Sequence, residues 1–171
     1  MGKSIHYPFV NFDDPNVIVQ NKVIEGLGDG NFAAVFSEIR DHAYLPIYYA
    51  SFWIDYGISA KDPWIYHGMN LLIHLLNGLL LAVILRRFDC STWAILGSCA
   101  VFLAHPVAIE SVVWASGRKD VLSALLMLLA WISWQGSSAT KGVSKGLVAA
   151  HLFFFLALFA KASVFVFPVL A

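Results

Sequence analysis

The chain has 171 residues, of which 59% are hydrophobic and 13% are charged, whereas soluble domains are about 45–50% apolar and about 25% charged. This composition predicts an integral membrane protein and argues against a soluble domain. The formal net charge is zero and there are two cysteines, so neither a nucleic-acid partner nor a disulfide framework is expected.

Residues 1–63 are polar to amphipathic and predict a long outer loop. Apolar residues recur at helical spacing from Phe32 to Ile39, and Pro46 is suited to open a second helix that continues to Tyr56. The second helix is rich in tyrosine and tryptophan, which favour the boundary between membrane and water. We therefore expect both helices to lie in the membrane interface rather than to cross the bilayer.

Residues 64–171 predict about four transmembrane helices, and hence an all-α, multi-pass bundle. The expected spans are residues 68–85, a stretch from Trp93 towards His105, residues 121–134, and a last stretch that begins at Leu147 and contains Lys161. The first is long enough to cross a bilayer, whereas the third is short for a full crossing. The sequence is still apolar at residue 171, so we expect the last span to be truncated and the chain to be a fragment.

Basic residues in short loops set the expected orientation. Two loops, at residues 86–87 and 141–145, carry unbalanced positive charge, and the positive-inside rule puts both in the cytoplasm. The segments 1–63 and 105–120 then face outward. Three cations on or near the outer side break this bias and require a separate reason: Arg118, Lys119 and Lys161.

Polar side chains form a stripe along one face of the first span, at His67, Asn70, His74 and Asn77. Because polar groups are costly in hydrocarbon, we expect the stripe to face other helices. It then either forms interhelical hydrogen bonds or lines a cavity. The two histidines are two turns apart, too far to share a metal ion without bending of the helix.

His105 and Glu110 lie in apolar surroundings beside Pro106. Ionisable groups at bilayer depth are functional candidates, because an ionised side chain there is costly. The alternative is a wet outer loop, since the proline ends or kinks a helix at this point. The sequence leaves the two interpretations open.

Asp13 and Asp14 precede Pro15, which predicts a turn. One carboxylate could act as the general base that deprotonates an acceptor hydroxyl. The other could orient that hydroxyl or help to hold a divalent cation, the one cofactor that the pattern brings into consideration. Neighbouring acids titrate as a pair, so the pattern does not assign the base to one of them. The bland alternative is a solvated turn.

The cations expected near the outer side suit a phosphate group. Asp120 could neutralise one of them, and Lys161 could instead extend its ammonium group to the interface. The pattern alone does not decide between these interpretations.

Four blocks, in order along the chain, resemble polytopic GT-C-type glycosyltransferases. Within that superfamily they are most similar to the protein O-mannosyltransferase-related membrane proteins with C-terminal tetratricopeptide repeats, including bacterial relatives. The blocks are Phe9 to Pro15 with Asn21; Asp62 to His67 with Asn70 and His74; Leu103 to Pro106 with Glu110 and Arg118 to Ser123; and Ala160-Lys161 with Pro168. Leu45 departs from the pattern, because the family usually has a basic residue or histidine there.

The resemblance implies transfer of a sugar from a polyprenyl-phosphate donor to a protein or glycan hydroxyl at the outer or lumenal face of a bacterial cytoplasmic or endoplasmic reticulum membrane. It implies that Asp13 or Asp14 is the base. The residues implied to hold the donor phosphate are Arg118, Lys119 and Lys161, and the supporting polar residues are His67, Asn70, His74, His105, Glu110 and Asp120. The alternatives are a non-catalytic membrane scaffold with repeats that bind partners, and a fragment of a transporter with a polar site at the midplane.

Overall fold

The computed structural model describes residues 8–9, 13–25, 33–37, 43–137 and 144–166, which form helices joined by turns and short loops. The helices are α1 (Lys22–Glu25), α2 (Ala33–Ser37), α3 (Pro46–Ser59), α4 (Pro63–Arg87), α5 (Thr92–Ala104), α6 (Pro106–Val113), α7 (Arg118–Ser137) and α8 (Lys145–Ala160). A π-helical turn covers Pro15–Val19, and 3₁₀ turns cover Ala115–Gly117 and Ala162–Val166. The predicted all-α class is confirmed.

The first expected span is α4, which begins earlier than predicted. Pro63 is suited to the first helical position because it has no N–H to leave unpaired. The Asp62 side chain caps the helix by accepting a hydrogen bond from the Trp64 N–H at 3.5 Å. Arg86 and Arg87 occupy the last turn, where cations interact favourably with the helix dipole. Its 25 residues reach about 37 Å.

The expected number of about four spans stays a prediction, because residues 138–143 and 167–171 lie outside the described part of the chain. By length and composition, two helical stretches in the described part of the chain could cross a membrane, Pro63–Arg87 and Ala115–Ser137. A third crossing is reached if α5 and α6 count together as one bent span. Helix α8 has only 16 residues, about 24 Å, so it is shorter than a hydrocarbon core of about 30 Å.

The second expected span is broken where the sequence places its proline. Helix α5 ends at Ala104, and α6 leaves at an angle of 52°. The His105 ring caps α6, since its Nδ1 accepts a hydrogen bond from the Val107 N–H at 3.3 Å. The expected outer segment 105–120 is thus largely helical, and α7 begins at Arg118 rather than at residue 121.

The ends of α4, α7 and α8 lie in two groups, at opposite sides of the helix bundle. A Cβ atom on Gly146 would lie 2.8 Å from the Ser133 carbonyl oxygen, so glycine is needed where α8 meets α7. The Arg87 Nη1 donates to the Ile132 carbonyl oxygen at 2.8 Å, which joins the end of α4 to the last part of α7. The starts of α4 and α7 and the end of α8 therefore share the other side.

Three of the five aromatic residues of α3 belong to a core inside the protein. Tyr48, Tyr49 and Phe52 are buried and pack with Tyr66 of α4 and with the π-helical turn. Trp53 and Tyr56, the other two aromatic residues of the helix, are partly buried. The expected position of α2 and α3 in the membrane interface stays a prediction, and both ends of the face from Phe32 to Ile39 lie outside the described residues.

Candidate functional site

The polar stripe of α4 faces the protein interior, as its spacing predicts. All four side chains have at most 1% of their surface exposed. Asn77 Nδ2 donates to the Val121 carbonyl oxygen at 2.9 Å, and a His74 ring nitrogen lies 3.3 Å from the Leu103 carbonyl oxygen. The His67 ring faces Phe9. The expectation that the stripe avoids lipid is confirmed.

Asp13 and Asp14 have different surroundings although they are adjacent. Asp14 is fully buried, and its Oδ1 accepts a hydrogen bond from the Ser116 N–H at 2.9 Å. Asp13 is partly exposed and lines a small cavity beside the start of α7. Only Asp13 of the pair lines this cavity.

Side chains from other elements hold the turn Ala115–Gly117 through hydrogen bonds. The Tyr48 hydroxyl of α3 donates to the Ser116 carbonyl oxygen at 2.8 Å. Asn70 Nδ2 donates to the carbonyl oxygens of Trp114 and Ala115, at 2.9 Å and 3.2 Å. Both backbone groups of Ser116 are therefore paired, because its N–H is bound by Asp14.

Arg118, expected to bind phosphate, is instead enclosed by protein. Its side chain is 0% exposed, and Nη1 forms an ion pair with Asp55. Nε donates to Asn70 Oδ1 at 2.8 Å and Nη2 to the Tyr66 carbonyl oxygen at 2.9 Å. The guanidinium carbon lies 4.5 Å from the centre of the Phe52 ring. These contacts use the guanidinium to join α3, α4 and α7.

Sequence reasoning missed Asp55, the partner of Arg118. Its signal was available, because it is the one acid in the aromatic-rich helix α3. Burial raises the pKa of its carboxyl from 3.8 to about 6, an effect that the nearby Arg118 opposes. A buried charge is stable only with a close partner, so Asp55 and Arg118 depend on each other.

The small cavity has a volume of about 250 Å³ and brings together charged residues from distant parts of the sequence. Its charged lining residues are Asp13, Glu110, Lys119 and Asp120. Of the three expected phosphate ligands, only Lys119 lines it. The arrangement places three carboxylates and one ammonium group around one volume.

Lys161 stands beside this cavity. It follows the last residue of α8 rather than interrupting a span, and its ammonium group forms an ion pair with Asp120. The two side chains are 39% and 33% exposed. Asp120 Oδ2 also accepts a hydrogen bond from the Ser111 hydroxyl at 3.3 Å. The expected neutralisation of a cation by Asp120 is therefore seen, with Lys161 as that cation.

A second cavity of about 420 Å³ adjoins the first and lies between α4, α5, α6 and α7. It is lined mainly by apolar side chains, together with His74, Asn77 and His105. Ser111 and Asp120 line both cavities. Within the described ranges, no group of three His, Cys, Asp or Glu side chains is placed to hold a metal ion.

Comparison with known proteins found relatives that match part of this chain. A protein O-mannosyl-transferase of Xenopus laevis, tmtc2, is 32% identical over 103 residues, which are 60% of this chain and 12% of the relative. The human protein O-mannosyl-transferase TMTC3 is 28% identical over 134 residues, 74% of this chain and 14% of the relative. The Drosophila melanogaster protein O-mannosyl-transferase Tmtc2 is 27% identical over 132 residues, 72% of this chain and 14% of the relative.

These relatives confirm the resemblance to protein O-mannosyltransferase-related membrane proteins. The chain spans only about an eighth of the length of the curated relatives it matches, 12% to 14% for these three. No family model matches the chain, and no solved structure matches it.

Proposed function

We propose that this chain, a homologue of proteins named protein O-mannosyl-transferases, forms part of the active site of a membrane glycosyltransferase. The reaction is transfer of a sugar from a polyprenyl-phosphate donor to an acceptor hydroxyl at the outer or lumenal face. The observation that carries the proposal is the small cavity, which both Asp13 and Lys119 line although 106 positions separate them in the sequence.

Asp13 is proposed as the general base. A hydroxyl is a poor nucleophile until its proton is removed, and a carboxylate beside the cavity can accept that proton. Asp13 is partly exposed at the cavity, whereas Asp14 is buried and binds the Ser116 N–H. The position of Asp13 therefore suits a base better than that of Asp14.

Lys119 and Lys161 are proposed to attract the donor phosphate. Negative charge grows on the leaving phosphate during transfer, and fixed cations stabilise it most when water is excluded. Lys119 lines the small cavity. Lys161 can exchange its partner Asp120 for a phosphate oxygen because both side chains are partly exposed. Arg118 is not proposed as a phosphate ligand, because its guanidinium is buried.

The test is transfer from a polyprenyl-phosphate sugar by the natively expressed full-length protein in liposomes. Asp13→Asn is expected to abolish most transfer, because asparagine keeps the shape of the side chain but cannot accept the proton. Asp89→Asn is the matched control, since Asp89 lies in the turn after α4 at the other side of the bundle. Asparagine also tolerates the positive φ of 55° at that position.

The outcomes separate the proposal from its alternatives. Loss of transfer in Asp13→Asn, with normal transfer in the control, supports a glycosyltransferase. Unchanged kcat in Asp13→Asn contradicts the general-base role. A parent protein that inserts normally but transfers no sugar, from donors of several sugar types, favours the scaffold, and solute uptake by the same liposomes favours the transporter.

A further inference from the structure

We infer that Asn70, Tyr48 and Asp14 are positioning residues, which hold the turn Ala115–Gly117 so that Asp13 and Lys119 line one cavity. The effect on catalysis rests on the proposed function, whereas the role of these residues in holding the turn rests on their hydrogen bonds alone. The turn lies directly before Arg118 and Lys119, and Asp14 directly follows Asp13. The turn therefore links the proposed base to the proposed phosphate-binding lysine.

The turn is held from three separate elements. Tyr48 comes from α3, Asn70 from α4, and Asp14 from the segment that begins the π-helical turn. The contact between Asp14 and Ser116 joins residues 102 positions apart. Gly117 presses the turn against α6, because a Cβ atom there would lie 2.8 Å from the Ser111 carbonyl oxygen. Displacement of the turn would thus require several contacts to break together.

Arg118 has a clear part in this arrangement. Asn70 can donate two hydrogen bonds from Nδ2 only if its amide is oriented with Oδ1 away from the turn. Arg118 Nε binds that Oδ1 at 2.8 Å, so both Nδ2 hydrogens point to the carbonyl oxygens of Trp114 and Ala115. Asp55 balances the buried charge of Arg118. The buried ion pair therefore fixes the orientation of the Asn70 amide, which donates hydrogen bonds to the turn.

Asn77 supplies a matched control on the same helix. It belongs to the same polar stripe, is equally buried, and also donates from Nδ2 to a backbone carbonyl oxygen at 2.9 Å. Its target, however, is Val121 within α7 rather than the turn. Asn70→Ser removes two bonds to the turn and the acceptor of Arg118 Nε. Asn77→Ser removes one bond at a similar depth, and it leaves the turn untouched.

The experiment compares these two variants in the full-length protein in liposomes. Asn70→Ser is expected to lower kcat for sugar transfer by about tenfold or more, because small misplacements of reacting groups are costly. The donor KM should change by less than about twofold, as Asn70 does not line the small cavity. Asn77→Ser should leave kcat within about twofold of the parent, and it should cost less thermal stability than Asn70→Ser because it removes fewer hydrogen bonds.

Hydrogen exchange of residues 114–117 gives a second measurement that needs no activity. Exchange should rise in Asn70→Ser and in Tyr48→Phe, and should stay at the parental rate in Asn77→Ser. Tyr48→Phe removes only the hydroxyl bond to Ser116, so it serves if Asn70→Ser does not fold. Absence of transfer by the parent protein would overturn the proposed function. Hydrogen exchange of residues 114–117 would still show whether Asn70 and Tyr48 hold the turn.

Three results overturn the inference itself. One is parental exchange of residues 114–117 in both Asn70→Ser and Tyr48→Phe, which would mean that these residues do not hold the turn. Another is faster exchange with unchanged kcat in an active protein, which would mean that the turn does not position the site. Equal losses of kcat in Asn70→Ser and Asn77→Ser would show a general structural effect and would also overturn it.

Discussion

Asp13 and Asp14 are neighbours in the sequence, as are Arg118 and Lys119, yet the two members of each pair have opposite surroundings. Asp14 and Arg118 are fully buried and bind protein groups. Asp13 and Lys119 line the small cavity. Each pair thus places one charge in the protein interior and the next charge in the proposed site.

This difference teaches that residue type and sequence position do not separate structural from chemical roles. A buried charge has lost its hydration and must keep its protein partners. A charge at a cavity can exchange water for a ligand. We therefore expect the buried members to govern stability and geometry, and the cavity members to govern transfer.

The largest expected effect separates the two aspartates. Asp13→Asn should lower kcat by about 10²–10⁴-fold, the usual worth of a general base. Asp14→Asn should cost much less, because the new amide oxygen can still accept the hydrogen bond from Ser116. The comparison of the two pure variants by steady-state transfer kinetics checks this, and equal losses would mean that the acids act as a unit.

The next largest effect separates the two basic residues. Arg118→Met should lower the free energy of unfolding by about 3–5 kcal/mol, because Asp55 would stay buried without its partner. Lys119→Met should leave stability within about 0.5 kcal/mol of the parent, as surface substitutions usually do. Denaturation of the two variants in the same detergent measures the difference, and similar stabilities would contradict the buried role of Arg118.

Lys161→Ala should have a smaller effect, confined to the donor. We expect the donor KM to rise about three- to tenfold with a modest fall in kcat, since a partly exposed cation contributes less than a buried one. Ser144→Ala, at the start of α8, is the control, because its hydroxyl caps the opposite end of the same helix. A donor KM unchanged by Lys161→Ala would remove Lys161 from the site.

The smallest net change in stability is expected when both members of the buried ion pair are replaced together. Arg118→Met with Asp55→Leu should recover most of the stability lost in Arg118→Met, because apolar side chains can replace a buried ion pair at little cost. Transfer should stay low, since Asn70 would lack the contact that orients it. Recovery of stability and transfer together would show that orientation of Asn70 is unimportant.

The sequence predicts local features of this fold well and its long-range contacts poorly. The stripe on α4 was predictable because helical spacing places His67, Asn70, His74 and Asn77 on one face. The break beside Pro106 was signalled by the proline itself. The length of α8 could not be predicted, because the apolar stretch continues past Ala160, where the helix ends.

The candidate site shows the same limit. The charged residues near the outer end could be picked out, but their partners could not, since no local pattern pairs Asp55 with Arg118 or Asp14 with Ser116. Such contacts form only when elements that are distant in the sequence pack together. Burial therefore decided which of two like charges faces the cavity, and burial is a property of the packed helices.

Carboxyl footprinting of the native protein tests the central claim most directly, because it compares adjacent acids without any substitution. The membrane-embedded protein is treated with a water-soluble carbodiimide and an amine, and modification of Asp13 and Asp14 is measured by tandem mass spectrometry. We predict that Asp13 is modified readily and that Asp14 is protected until the protein is unfolded. Equal modification of the two residues, or faster modification of Asp14, would contradict the division between a buried acid and a cavity acid.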